Sequence, residues 1–505
     1  MTPPLRLAEF IAAISLATDL GMGQPLEQGL RTCLVALELA DSTGASPETH
    51  AEVYYTALLR FLGCTADAHE SAELSGDDIS LRAAIAPVLG ASPVRLLRTV
   101  LPAVGAEFPA GRRAALRAGF LATGPSRMRA GVRAHCEAAE MLALRLEIAQ
   151  GTRAALAAAF EQWDGRGFPD GLRSEAIPLP ARMVAVARDV EVIARLGGRD
   201  AVADALRQRA GHAYDPRLAA AALAHLDGLL EAAQAEQPWD AVLAREPLPV
   251  AEIRADRLDT VLAVFADFAD LKDPVRAGFS RDVALLAAGA HSDEGPLLAR
   301  TGLAEDLGRV AVPSRFDGGR LGSPAHYERL RLHPYYSERI LSRVRTTAPL
   351  AKLASLHHER LDGSGYYRGS AGPELPWEAR VLAAADAFRE LLLEVPGRPA
   401  RTLAQAADAL ASVAPGRLDR DAVDAVLAAA GVRDRRTRPA WPAGLTEREV
   451  EVLRLICRGA TKKDVAVALT ISPSTADHHI RHIYAKIGVS SRAAATLFAV
   501  ERDLL

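Results

Sequence analysis

The sequence predicts an all-α protein: two related helical bundles in tandem, followed by a small four-helix unit. Three observations predict it. Apolar residues recur at three-to-four spacing in stretches such as Leu30–Ala40 and Leu142–Ala149. Few segments alternate with period two, so little sheet is expected. Residues also recur at one constant, gap-free offset: His135 with His333, Gly165 with Gly363, Gly171 with Gly369, Pro178 with Pro376 and Arg182 with Arg380. A fixed offset of this kind marks an internal repeat.

In chain order, residues 1–232 form the first half, and within it residues 65–130 have no counterpart and read as a helical insertion. Residues 233–252, polar and proline-bearing, read as a connector. Residues 253–431 form the second half, and Arg433–Pro442 is a charged linker with prolines. Residues 443–505 form the last unit. Thr446 caps its first helix, with Glu449 completing a capping box, and Gly459 ends it. Thr461 caps a second helix with Val465, Ala466 and Leu469 on its apolar face. Ile471-Ser472-Pro473 is a turn. A third helix, Ser474–Ile487, turns Ala476, Ile480, Ile483 and Ile487 inward, Gly488 stops it, and Ser490 or Ser491 starts a fourth.

The 505 residues are 49% apolar and 24% charged, ordinary for a globular chain. No uninterrupted apolar run reaches the roughly 18 residues of a membrane span, and Met1–Leu20 lacks the basic start and apolar core of a signal peptide. Cys33, Cys64, Cys136 and Cys457 form no CxxC pair, which fits a reducing cytoplasm. Scarce Lys and abundant Ala suggest a high-GC bacterial genome. The net charge of −3 hides an asymmetry: residues 441–505 carry a net +2, which permits nucleic-acid contact.

The chemistry gathers around His357-His358-Glu359-Arg360-Leu361-Asp362-Gly363-Ser364-Gly365-Tyr366. Neutral imidazole is the commonest metal-binding side chain. With Glu305, Asp306, His333 and Asp386 the pair makes a candidate ligand set. The first half has Ala159, Phe160 and Arg188 where the second has His357, His358 and Asp386. This ordered series resembles the HD-GYP family of metal-dependent phosphohydrolases. The resemblance implies an all-α fold, a centre of two or three iron or manganese ions, and hydrolysis of cyclic di-GMP. By that resemblance Asp306 bridges metals, His333, His357 and His358 hold one, and Asp386 holds the other. The departures are Phe279 and Glu305 where the family has His, Arg309 where it has Lys, and Tyr367 where it has Pro. Two readings stay open: a single divalent cation, iron or manganese, on the remaining ligands, or a degenerate set that satisfies its own hydrogen bonds. The first half keeps only His135, with Arg60-Phe61 at the doublet, and reads as structural; a cavity left there by missing metals is a place for a small effector.

The last unit is a helix-turn-helix pattern and closely resembles the LuxR-type DNA-binding domain, through Leu445-Thr446, Arg448-Glu449, Glu451-Val452-Leu453, Gly459, Ser472, Thr475, His479, Ile483, Lys486 and Gly488-Val489. The resemblance implies a recognition helix near 473–487 and dimeric binding to paired half-sites. The DNA-contact candidates are Asp477, His478 and Arg481 at base edges, with Lys462, Lys463, Ser472, Thr475 and Lys486 near the backbone. The whole reads as a cytoplasmic bacterial transcription regulator. Its expected partners are double-stranded DNA, a second copy of itself and a nucleotide effector, with no membrane. The alternatives are a phosphodiesterase acting on a cyclic dinucleotide or other nucleotide, and a pure interaction scaffold.

Overall fold

The computed structural model describes residues 5–291, 293–314, 324–395, 398–414, 416–431 and 441–505. Most of the Arg433–Pro442 linker therefore lies outside the described residues. Helices dominate, as the periodicity predicts. Among the described residues the only named strands are β1 (Leu5–Arg6) and β2 (Glu252–Ile253), antiparallel with Leu5 opposite Ile253. The chain divides into two units, the first running to Leu258 with a short piece at Pro313 and Ser314, the second taking the rest from Asp259.

The first unit contains α1 (Leu7–Gly21), α2 (Gln28–Ser42), α3 (Pro47–Leu59), α4 (Ala68–Ser75), α5 (Asp78–Ile85), α6 (Pro93–Val100), α7 (Ala110–Arg145), α8 (Gln150–Ala157), α9 (Leu179–Arg209), α10 (Pro216–Ala224), α11 (Leu226–Ala233) and α12 (Pro238–Ala244). Helix α2 lies at the centre, its Leu30, Leu37 and Leu39 fully buried against α3, α9 and α11. The insertion closes a small core of its own around Leu74, Leu81, Val100, Val104 and Phe120. Residues 233–252, expected as a connector, are instead folded into this unit. Trp239 and Val242 are buried in α12, the Tyr54 hydroxyl donates to the Val242 carbonyl at 3.2 Å, and β2 pairs with β1. Apolar area in Trp239 and Val242 decides this over the local prolines.

The second unit contains α13 (Leu258–Asp270), α14 (Phe279–Gly289), α15 (Gly295–Ala304), α16 (Pro324–Leu330), α17 (His333–Leu341), α18 (Ala348–Ala354), α19 (Trp377–Leu391), α20 (Leu403–Val413) and α21 (Arg420–Gly431). Phe279, Val283 and Leu286 of α14 meet Val381, Leu382 and Phe388 of α19 and Val423 and Val426 of α21 in one core. One glycine sets the approach that builds the site. A β-carbon on Gly308 would lie 2.0 Å from the His333 carbonyl oxygen, so only glycine lets the turn after α15 rest on the start of α17. The first unit keeps this device: a β-carbon on Gly63 would lie 1.9 Å from the His135 carbonyl oxygen.

The last helices are α22 (Glu447–Cys457), α23 (Lys462–Ala468), α24 (Pro473–Ile487) and α25 (Arg492–Glu501). Thr446 and Glu449 form the expected capping box, Thr461 and Asp464 form another, Ser472 caps α24 and Ser491 caps α25. Ala476 and Ile483 are buried, and Ile480 and Ile487 pack on the same core. The Glu449 carboxylate is buried and holds three groups at once: the Thr446 N–H at 2.7 Å, the Lys486 ammonium at 2.8 Å and His482 Nδ1 at 2.8 Å. Burial alone would raise this carboxyl, but Lys486, Thr446 and His482 overcome it and hold it at about 2.

A depressed carboxyl contributes stability that is fully present above its ordinary value near 4.5 and is lost as pH falls through about 2. Glu449→Gln is therefore expected to lower the hydrogen-exchange protection of the α22 amides at pH 7, by the equivalent of about 1.5–3 kcal/mol for charge-assisted bonds. The gap to the wild type should shrink as pH falls from about 4.5 towards 2. A pH-independent gap would contradict this.

Candidate metal centre and nucleic-acid interface

The turn of Gly308 places Asp306 beside His333, the first residue of α17. The Ser337 hydroxyl ties the two together, donating to the Glu305 carbonyl at 2.6 Å and accepting from the Gly308 N–H at 2.8 Å. His357 and His358 follow α18. Their approach is fixed by Gly365, where a β-carbon would sit 2.4 Å from Glu359 Cα, and by Glu359, whose carboxylate accepts the Arg368 N–H at 2.7 Å.

The result is a convergent cluster. One ligand atom each from Asp306, His333, His357 and His358 lies within 4.8 Å of the others, and all four residues are buried. Nδ1 of His333 faces the Leu330 carbonyl and Nδ1 of His357 faces the Ala354 carbonyl, both at 2.6 Å. Each ring therefore places its proton on Nδ1 and turns an Nε2 lone pair inward, the usual posture of an imidazole ligand. The two Nε2 atoms are 3.1 Å apart, and they lie 3.1 and 3.6 Å from Asp306 Oδ1. Two lone pairs and a carboxylate oxygen so close repel unless a cation or proton lies among them. Burial pushes His333 down to about 4 and His358 well below its ordinary range, so both stay neutral at pH 7.

Glu305 and Asp386, also expected as ligands, do not join the four-atom cluster. Asp386 Oδ2 stands 3.5 Å from His358 Nδ1, and burial pushes its carboxyl up to about 6. Glu305 is fully buried, and neither of its carboxylate oxygens has a hydrogen-bond partner among the described residues. Burial first, then Asp386 and Asp306, raise it well above the carboxylate range, so it sits there neutral unless a cation is near.

Sequence reasoning missed the residue that dominates this charge balance. Arg276, buried, donates through Nη2 to Asp306 Oδ2, and its guanidinium lies 3.5 Å from the centroid of the Phe279 ring. Phe279, which cannot ligate, thus supplies a face for a fixed cation. Burial opposes charge on Asp306, but Arg276 and Arg309 hold it well below the usual range. A basic residue three positions before Phe279 is the only sequence signal for this pair. A second missed feature is a cavity of about 370 Å³ beside the end of α19, lined by Arg360, Arg398, Arg401 and Arg417 against the single carboxylate of Glu390. Arg360 and Arg398 donate to backbone carbonyls and Arg417 to the Ser364 hydroxyl, leaving their charge available to an anion.

On the last unit, Lys462, Lys463, His478 and Arg481 are exposed, with the Arg481 side chain 73% exposed. Asp477 lies between two of them, 3.2 Å from Arg481 and 3.7 Å from Lys462. His478 stacks on His482 at 6.1 Å. Three candidates also make bonds within the fold. Ser472 caps α24 by accepting the Thr475 N–H at 3.0 Å, and the two hydroxyls are 2.8 Å apart. Lys486, expected at a phosphate, donates to Glu449 and the Gly444 carbonyl, because a buried carboxylate needs a cation. No helix among the described residues is long and apolar enough to cross a membrane.

The family model of the HD domain matches residues 125–218 and 262–422, and that of the bacterial regulatory proteins of the luxR family matches 443–499. The chain is 27% identical to the 3'3'-cGAMP-specific phosphodiesterase 3 of Vibrio cholerae over 416 residues, which cover 79% of this chain and 89% of that one. Its C-terminal part is 41% identical over 76 residues, 15% of this chain and 35% of the relative, to "Probable transcriptional regulatory protein NarL" of Mycobacterium tuberculosis. The crystal structure of a cyclic GMP-AMP specific phosphodiesterase of Vibrio cholerae shares the fold, with a TM-score of 0.57 at 20% identity over 86% of this chain and 99% of that one. The chain belongs to the HD-domain family and carries a luxR-family helix-turn-helix at its C-terminal end.

Proposed function

We propose that this chain is a cytoplasmic, dimeric transcription regulator that binds DNA through α24, and that its HD body is a largely degenerate hydrolase that senses a cyclic dinucleotide. The observation that carries the reading is the outer face of α24 and α23, where Lys462, Lys463, His478 and Arg481 stand exposed on a fully capped luxR-type fold. Arg481 suits a guanine edge and Lys463 a phosphate. In a binding assay on promoter fragments, Arg481→Ala should relax sequence discrimination at a cost of about 1–3 kcal/mol. Lys463→Ala should weaken binding evenly across sequences and lower the salt slope by about one. Affinity that ignores salt would overturn the reading.

In the body, Asp306, His333, His357 and His358 fit one divalent cation: their lone pairs converge, Asp306 Oδ1 is a buried acceptor, and the donor set of oxygen and imidazole suits iron or manganese. Such a cation supplies Lewis-acid polarisation of a phosphoryl oxygen. Around it, Arg276 fixes the second Asp306 oxygen, and Phe279 removes a ligand that a second ion would need. The arginine-lined cavity of 370 Å³ holds the charge to retain phosphodiester oxygens. Elemental analysis of protein purified without a His-tag should find about one iron or manganese per chain, and His357→Ala/His358→Ala should lose it. Restoring the missing ligand with Phe279→His and removing the fixed cation with Arg276→Ala should raise the content towards two. A metal-free wild type after incubation with both ions would sink the single-ion reading.

A second reading, a working phosphodiesterase, is favoured by the 27% identity to the Vibrio cholerae relative over 79% of this chain. Turnover of 3'3'-cGAMP at or above about 1 per second, within the ordinary range of enzymes, would establish it. Tight binding without product over hours would establish sensing.

A further inference from the structure

We propose that the outer face of α24 carries a further metal site, for a divalent cation of the zinc class, with His478 and His482 as its ligands and Glu449 behind His482. The two histidines lie one helical turn apart, the spacing that brings two imidazoles of one helix to one ion. Their rings lie face to face, with planes 11° apart and centroids 6.1 Å apart. Bonds of about 2.0–2.1 Å from each ring nitrogen to a shared ion require only a small closing of that gap. Both residues are exposed, so an ion enters from solvent without opening the fold. The buried cluster around Asp306 shares no residue with this pair.

A histidine pair at this spacing is not by itself a site; Glu449 is what singles this one out. Its side chain is 4% exposed, its carboxylate is held ionised, and Oε1 accepts from His482 Nδ1 at 2.8 Å. The proton of the neutral ring is thereby fixed on Nδ1, and Nε2 keeps its lone pair for a metal. A carboxylate behind an imidazole orients a histidine ligand and strengthens it as a donor. The His478 ring meets the rings of His479 and His482 and has no hydrogen bond among the described residues, so neither of its nitrogens is committed. The cations nearby are each answered by a carboxylate: Lys486 by Glu449 Oε2 at 2.8 Å and Arg481 by Asp477 at 3.2 Å. Imidazole donors select zinc, copper or nickel over magnesium or calcium, and water completes the coordination of an ion held by two side chains. The place of the pair gives it a consequence, which rests on the DNA-binding reading above. His478 is a base-edge candidate, so an ion and its waters occupy the face that the major groove would receive, and zinc and matched DNA exclude each other.

Calorimetric titration of the full chain with zinc, on protein purified without a His-tag, compares the wild type with His478→Ala and His478→Cys. The cluster around Asp306 is the same in all of them and cancels in the difference. The wild type should take up about one equivalent more than His478→Ala, with a dissociation constant below about 100 µM. His478→Cys, which supplies a thiolate in place of the imidazole, should regain that equivalent. Magnesium should show no such difference. On promoter fragments, zinc at about ten times its dissociation constant should lower the DNA affinity of the wild type about tenfold. It should leave that of His482→Ala unchanged, since this exposed change removes the site and keeps the base-edge candidates. Equal zinc uptake by the wild type and His478→Ala, or the same difference with magnesium, would overturn the site. Zinc that binds at His478 and leaves DNA affinity unaltered would overturn the exclusion. An extra zinc equivalent in a chain that retains no DNA would support the site and overturn the DNA-binding reading alone.

Discussion

The second unit is arranged about one buried ion pair, Arg276 on Asp306, laid across the face of Phe279. Four carboxylates are buried around it, from Asp270, Glu305, Asp306 and Asp386. Isolated, each would be costly at low dielectric. Asp270 is satisfied by the Ser280 N–H and hydroxyl and is pushed up to about 7 by burial. Arg276 answers one oxygen of Asp306. The other oxygen and three imidazoles are left facing one another. The pair thus divides a site in two: one side holds a permanent cation that cannot exchange or act as a Lewis acid, and the other keeps ligands that a metal ion fits. Phe279 and Arg276 are one change in physical terms, because an aromatic face is a good seat for a guanidinium and a poor one for a metal.

The first unit carries the same exchange to its end. Arg60 and Arg188 bring the cations, and Phe61 and Phe160 bring the faces, at positions where the second unit has acids and imidazoles. The backbone beneath did not need to move. Gly63 and Gly308 set the same close approach, and Glu161 accepts the Asp170 N–H at 2.7 Å just as Glu359 accepts that of Arg368. The cradle rests on glycine contacts and buried carboxylate-to-backbone bonds, not on the candidate ligands, so the same frame stands in both copies with different residues at those positions.

What was legible in the sequence was local or periodic. Thr446, Thr461, Ser472, Ser491 and Gly488 announce helix ends because a cap and its partner are within a few residues. The repeat was legible because its offset has no gap, and His333, His357 and Asp306 because their types are rare in that order. What escaped depends on distance along the chain. Arg276 and Asp306 are thirty positions apart with no motif between them. Arg360 and Arg417 meet at one cavity through the packing of α19 and α20 between them. The connector reading of 233–252 failed because Trp239 finds its partners in distant helices. The pairing of Lys486 with Glu449, thirty-seven positions earlier and buried beneath it, likewise has no local motif to announce it.

The charge pattern of α24 follows from the same reasoning about pairs. Asp477 sits within reach of both Arg481 and Lys462, so the recognition face is already partly neutralised before any ligand arrives. A generic phosphate backbone must then compete with an internal carboxylate for each of these cations, which lowers the sequence-independent part of the affinity. On the proposed reading, a matching site would offer Arg481 two acceptors on guanine and Asp477 a cytosine amine from which to accept. Its carboxylate then helps the correct sequence while hindering the wrong one. With only a small positive excess on the whole unit, binding of this kind draws its strength from fit at the base edges and not from bulk attraction. A helix-turn-helix with so little excess charge would discriminate against the bulk of non-matching sequence.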